Sequence, residues 1–246
     1  MKNIAYLIGG IVLGVALTFA VIKVNSTLGT DSDTDKTAQN QAKSAAPANT
    51  NNTAVKTVSI ADGPVLGDKA KVKVAIVEFS DYECTFCKRF NDQTFESIKK
   101  DYVDTGKVIF VYRNYPLPFH DPAATTDANA AECVKEIAGD VKYYEMGELL
   151  YKNSGLNGKG IEKEKMIALA EQLGVNKNKF TDCYDSQKFK GKIENDKKDA
   201  ASAGIQGTPA FIIGQLDKKG NVAGELVSGA QPYASFKDAI ERQLSK

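Results

Sequence analysis

A mixed α/β sheet with helices on both faces, interrupted by an all-helical insertion, is the fold class this 246-residue chain predicts. Three observations carry that expectation. The run Val72–Phe79 is apolar on both faces from Val74 onward, as a central strand of a covered sheet should be. A helical pattern and a second apolar run, Val108–Tyr112, follow it and complete a strand–helix–strand unit. Helical periodicity then fills residues 121–204 before strand patterning resumes at Pro209.

Taken in order, residues 1–24 form an anchor or signal segment. Ile4 to Ile22 carries no charge and lies between Lys2 and Lys23. A run of that length suits a bilayer span, so an uncleaved anchor is expected; Thr18-Phe19-Ala20 is the cleavage site if the segment acts as a signal instead. Lys2 favours a cytoplasmic N-terminus, which puts the rest of the chain outside the cytoplasm. Residues 25–57 are polar and nearly free of large apolar side chains, so they read as a disordered linker.

The sheet domain is expected at 58–117 and 205–246, with a helical domain inserted at 118–204. Val58-Ser59-Ile60 reads as an edge strand and Asp62-Gly63-Pro64 as a turn. The helix after Cys84 presents Phe90, Phe95 and Ile98 and ends by Gly106. In the insertion, Asp121 reads as an N-cap with Pro122 at the first helical position. Helical stripes follow at Ala130/Cys133/Val134/Ile137, Tyr143/Met146/Leu150/Tyr151, Met166/Leu169/Ala170/Leu173 and Phe180/Cys183/Tyr184, then a polar helix over 186–203. Strands at 209–213 and 225–228, joined by a turn at 218–221, return to the sheet. Tyr233, Phe236, Ile240 and Leu244 mark a closing helix.

The formal net charge of +1 argues against a nucleic-acid partner. Four cysteines, Cys84, Cys87, Cys133 and Cys183, fit two disulfides in an exported protein. Cys133 and Cys183 lie on apolar helix faces and are expected to join two helices of the insertion; two buried unpaired thiols, or a relay pair, are the alternatives. A zinc site built from all four fits their spacing poorly, and no metal is expected.

Chemistry concentrates at Cys84-Thr85-Phe86-Cys87, where a buried strand turns into a helix. Backbone N–H groups at a helix start favour a thiolate, so Cys84 is the expected nucleophile with an exposed sulfur. Cys87, one turn in, is the expected buried resolving thiol. Asp81 and Glu83 stand close in sequence and oppose a thiolate. Glu78 lies between Val77 and Phe79; burial there raises a carboxyl pKa and makes it a candidate proton acceptor for Cys87. His120, the single histidine, reads either as a modulator of the thiolate or as a structural turn residue.

The segment Phe79–Cys87, then Thr208-Pro209, then Gly229-Ala230-Gln231-Pro232-Tyr233, resembles the DsbA-like branch of the thioredoxin superfamily over about 62–244. The resemblance implies a thioredoxin-like fold with an inserted all-helical domain. It also implies a thiol-disulfide oxidoreductase acting outside the cytoplasm, most often as a dithiol oxidase, with a reductase or isomerase as the alternative of the same fold. A noncatalytic tethered chaperone or zinc-holding module is the alternative of another class. It makes Pro209 a cis-proline facing the dithiol, with Thr208 backbone open to an extended substrate. Thr85 and Phe86 depart from the Pro-His and Pro-Ser pairs of strong oxidants in that branch and would tune the potential. The implied partners are reduced exported proteins and a quinone-linked membrane oxidase; no cofactor is required.

Overall fold

The computed structural model describes residues 55–60 and 62–246. The expected membrane segment and residues 25–54 of the expected linker lie outside them. No helix among the described residues is long and apolar enough to cross a membrane.

Six strands form one mixed sheet: β1 (Lys56–Ser59), β2 (Val65–Leu66), β3 (Val74–Ser80), β4 (Val108–Asn114), β5 (Ala210–Leu216) and β6 (Asn221–Ser228), in the order β1-β6-β5-β3-β4-β2. β3 is central, parallel to β4 and antiparallel to β5. Every residue of β3 and β4 is buried, as their two-faced apolar pattern requires. One boundary and one element differ from expectation. Lys56 and Thr57, expected in the linker, pair with Gly224 and Ala223 and open β1. Their polar side chains lie partly or fully exposed at a sheet edge, where pairing needs backbone groups rather than apolar ones. β2 was not expected either; it is only two residues long, too short for a periodic signal.

One sheet face packs Val74, Ile76, Phe110, Phe211 and Ile213 against Phe90, Phe95 and Ile98 and against Phe236 and Ile240. The last two belong to the closing helix α8 (Tyr233–Leu244). The helix after Cys84 runs through α1 (Thr85–Phe90), a π turn (Asn91–Phe95), α2 (Glu96–Ile98) and a second π turn (Lys99–Val103). The wider turns accommodate the five-residue step from Phe90 to Phe95, so both rings stay on the core face, 6.3 Å apart.

The opposite face packs Ala75, Val77, Phe79, Ile109 and Val111 against Ala200, Ala203 and Ile205. Ala200 belongs to α7 (Lys190–Ser202), which is shorter than the expected 186–203. A buried ion network fastens that helix to β4. Arg113 Nε donates to Asp196 at 2.7 Å, and a terminal nitrogen of the same guanidinium donates to Asp199 at 2.6 Å. Lys192 Nζ lies 2.9 Å from both Glu132 and Asp196.

The insertion comprises a 3₁₀ turn (Pro118–His120), α3 (Ala123–Ala138), α4 (Asp140–Asn153), α5 (Lys163–Gln172), α6 (Lys177–Asp185) and α7. It forms one compact unit with the sheet rather than a separate body. Its start differs from expectation. The Asp121–Pro122 peptide is cis, Pro122 occupies the N-cap, and helical residues begin at Ala123. Asp121 still satisfies a free donor of the first turn, accepting from Thr125 N at 3.1 Å. Cys133 on α3 and Cys183 on α6 are joined by a disulfide, with Cα atoms 5.9 Å apart.

Candidate active site

Cys84 is the N-cap of α1, in extended conformation, directly beyond the end of β3. Its sulfur lies 3.6 Å from the Thr208 carbonyl oxygen, a contact that spans 124 positions of sequence. Antiparallel pairing of β3 with β5 makes that contact: Phe79 stands opposite Ala210, so the residues just beyond them meet at the sheet's end. The Thr208–Pro209 peptide is cis. Cys84 and Cys87 are both free thiols.

The two sulfurs differ sharply. The Cys84 thiol is lowered to about 6. Its largest cause is hydrogen bonding from the Cys87 thiol; the Thr208 side chain and the N–H groups of Cys87 and Phe86 add to it, and burial opposes. The helix start therefore contributes, but the second thiol contributes more. Cys87 is pushed well above the ordinary thiol range, chiefly by burial and then by the Cys84 thiolate. The expectation of an exposed nucleophile needs correction: Cys84 is only 5% exposed. The Thr208 carbonyl lies against it, and Cys84 belongs to the hydrophobic cluster that joins Tyr82 and Tyr112 to the buried faces of the insertion helices. Phe86 is the open residue of the motif, 54% exposed, with the Arg89 guanidinium 4.8 Å over its ring. Thr85 is exposed beside it.

The two acids before Cys84 are engaged elsewhere. Asp81 accepts from Glu83 N at 2.7 Å and Leu117 N at 2.9 Å, and lies 2.7 Å from His120 Nδ1. The Glu83 carboxylate accepts from Ser154 Oγ and from Gly158 N. Both acids thus tie the turn before Cys84 to the insertion. His120 is 4% exposed and serves that anchoring through Asp81.

Glu78 is 4% exposed, and burial raises its carboxyl to about 8. The nearby Ser80 hydroxyl partly offsets this, and the Cys84 thiolate adds to it. Behind Glu78 lies a cage of aromatic rings drawn from the turn before Cys84, from β4 and from α4. Tyr82 stacks on Tyr112 at 5.1 Å and tilts against Tyr151 at the same distance. Ser80 Oγ lies 3.1 Å from the Tyr151 hydroxyl, which lies 3.4 Å from that of Tyr112. Gly147 makes room for this cage, because a Cβ there would sit 3.2 Å from the Tyr82 ring. Ser80 and the tyrosines went unread as site residues. Three tyrosines within nine positions, Tyr143, Tyr144 and Tyr151, were the available signal.

The arrangement is that of a redox-active dithiol: one acidic thiol facing a backbone carbonyl, one buried thiol, and a raised carboxyl behind. The family described as Thioredoxin matches residues 59–242. Disulfide bond formation protein D of Bacillus subtilis is 29% identical over 199 residues, covering 76% of this chain and 79% of that protein. The crystal structure of oxidised BdbD from Bacillus subtilis superposes with a TM-score of 0.67 at 26% identity, covering 78% of this chain and 97% of that one. Wolbachia pipientis α-DsbA1 shares the fold, with a TM-score of 0.63 at 23% identity over 75% of this chain and 92% of that one. The chain belongs to the thioredoxin family, in its DsbA-like branch of thiol-disulfide oxidoreductases.

Proposed function

We propose that this oxidoreductase introduces disulfides into exported proteins, working outside the cytoplasm from an anchor formed by residues 4–22. The observation that supports this direction of electron flow is the asymmetry of the dithiol: Cys84 lowered to about 6 and Cys87 raised. A nucleophilic thiol that is ionised at neutral pH stabilises the reduced pair, and a pair that prefers reduction is an oxidant.

The reaction follows from those two sulfurs. A substrate thiolate attacks Sγ of oxidised Cys84; the Cys84–Cys87 bond breaks, and Cys87 leaves with the electron pair. A second substrate thiolate attacks the substrate sulfur of the mixed disulfide. The substrate disulfide forms and Cys84 departs as a thiolate, a good leaving group because its pKa is low. Thr208, beside Cys84, offers backbone to an extended substrate, and exposed Phe86 offers an apolar contact. Glu78 is the proton acceptor and donor for Cys87. A quinone-linked membrane oxidase returns the pair to its disulfide, again through exchange at Cys84.

The deciding measurement is the reduction potential of the purified pair against glutathione. An oxidase gives a value well above that of thioredoxin, about −270 mV. A value at or below it assigns the protein as a reductase and overturns the proposal. Loss of oxidation of a reduced test protein in the Cys84→Ser variant separates either enzyme from a binding module.

A further inference from the structure

We infer that Arg89 sets substrate preference: its guanidinium, fixed at the rim of the dithiol, recognises an acidic side chain beside the reacting cysteine of an extended substrate. The inference names a substrate class for the proposed function and rests on that function.

Arg89 is exposed and lies on α1, three positions after Phe86, so both side chains leave the same face of the helix. The guanidinium carbon lies 4.8 Å from the centre of the Phe86 ring. A terminal nitrogen of the same group donates to the Ala230 carbonyl at 3.2 Å. These two contacts hold in place a side chain that is otherwise free to range through solvent. Ala230 is itself placed by the site. The preceding residue, Gly229, donates its N–H to the Pro209 carbonyl at 2.8 Å, and Thr208, one position before Pro209, lies against the Cys84 sulfur. Contacts thus lead from the nucleophile across the cis-proline to Ala230, and from there through Arg89 back to the exposed ring of the dithiol motif.

The charge held at that rim has no counter-charge of its own. Among the described residues Arg89 makes no ion pair and no second hydrogen bond. The charges beside it are engaged elsewhere: Lys88 pairs with Asp92 at 2.5 Å, and Asp81 and Glu83 are turned into the insertion. A guanidinium carries five N–H donors in one plane, and a carboxylate takes two of them side by side. One donor of Arg89 is used on Ala230, which leaves an edge open for such a pair. An extended substrate paired with the Thr208 backbone passes this edge, so the side chains next to its cysteine meet a cation that is already ordered. A carboxylate there gains an ion pair without the cost of immobilising the arginine; an amide gains less, and an ammonium is repelled.

The test follows excess reduced peptides, each with a single cysteine, as they reduce the Cys84–Cys87 disulfide of the full-length protein. Two peptide thiols give up two electrons and form a peptide disulfide, while the protein disulfide becomes the dithiol; both products are counted by mass after an acid quench. The peptides carry Glu, Gln or Lys at each of the two positions on either side of the cysteine. The readout is the ratio of the Glu to the Gln rate constant in each protein variant, so differences in peptide thiol acidity cancel between variants. At one position or more, the ratio for the unmodified protein is expected about fivefold above that for Arg89→Gln, the upper end for an exposed ion pair. That excess is expected to shrink in about 1 M salt, where screening acts within about 3 Å. Arg89→Glu is expected to favour the Lys peptide over the Gln peptide at the same position, a gain that misfolding cannot produce. Ratios equal in the unmodified protein and Arg89→Gln at all four positions, or a preference that salt does not weaken, overturn the inference and leave Arg89 as a tie between α1 and the Ala230 loop. Failure of every peptide to reduce the oxidised protein refutes the proposed function instead.

Discussion

Replacing Glu78 by Gln should make the protein more stable at neutral pH while impairing its chemistry. The carboxyl is raised from 4.5 to about 8, mainly by burial. Between those values the native state keeps a proton that the unfolded chain gives up. Stability therefore falls as pH rises through that window, by about 1.4 kcal/mol per pH unit. Below 4.5 both states are protonated and the penalty disappears. From 4.5 to pH 7 the loss reaches about 3 kcal/mol, and glutamine, which cannot ionise, is spared it. The measurement is urea unfolding of the reduced proteins from pH 4.5 to 8. The variant's advantage should grow with pH, to about 3 kcal/mol at pH 7 relative to its value at pH 4.5. Any constant effect of the amide on packing cancels in that comparison. Parallel stability curves for the two proteins would refute the reasoning, since they would mean that Glu78 is solvated or ionised in the native state.

Three further outcomes are expected. Alkylation of reduced protein by iodoacetamide should rise through a midpoint near pH 6, reporting Cys84, and this phase should vanish in Cys84→Ser; a midpoint near the ordinary 9 contradicts the acidic thiol. Replacing both Cys133 and Cys183 by Ala opens a loop with a sequence separation of 50, which costs about 4 kcal/mol in the chain-entropy model, read as a lower urea midpoint; an unchanged midpoint rejects a stabilising role. Asp196→Ala strands the buried Arg113 guanidinium and should cost about 3 to 5 kcal/mol in the same assay, whereas a loss under about 1 kcal/mol would show that water or Asp199 takes over the charge.

The sheet, its central strands and the chemistry of Cys84 and Cys87 were legible because each rests on a local signal. Val74–Phe79 announces two buried faces by itself, and a dithiol where a strand turns into a helix announces its own environment. The pairing of Cys133 with Cys183 was legible from two apolar helix stripes. What escaped depends on partners distant in sequence. The acids Asp81 and Glu83 look like neighbours that repel a thiolate, yet Leu117, His120, Ser154 and Gly158 draw them into the insertion. Ser80 looks like an ordinary strand end, yet its hydroxyl meets that of Tyr151, 71 positions away. Cys84 looked exposed because it stands at a helix start, whereas its sulfur lies against the Thr208 carbonyl. Lys56 and Thr57 were misplaced because an edge strand needs a partner's backbone more than apolar side chains of its own.

The contact between Cys84 and Thr208 also sets an order of events during synthesis. The two cysteines emerge while β5, β6 and the whole insertion are still unmade. At that moment the dithiol lacks the Thr208 side chain that helps to acidify it and the rings that shield it. The growing chain thus carries a thiol pair with its local partners in sequence but without its distal wall. Only when residues 210–216 arrive can β5 dock against β3 and bring Thr208 against the Cys84 sulfur. The completed redox centre is therefore a property of the finished chain, because the Thr208 wall beside Cys84 comes from its far end.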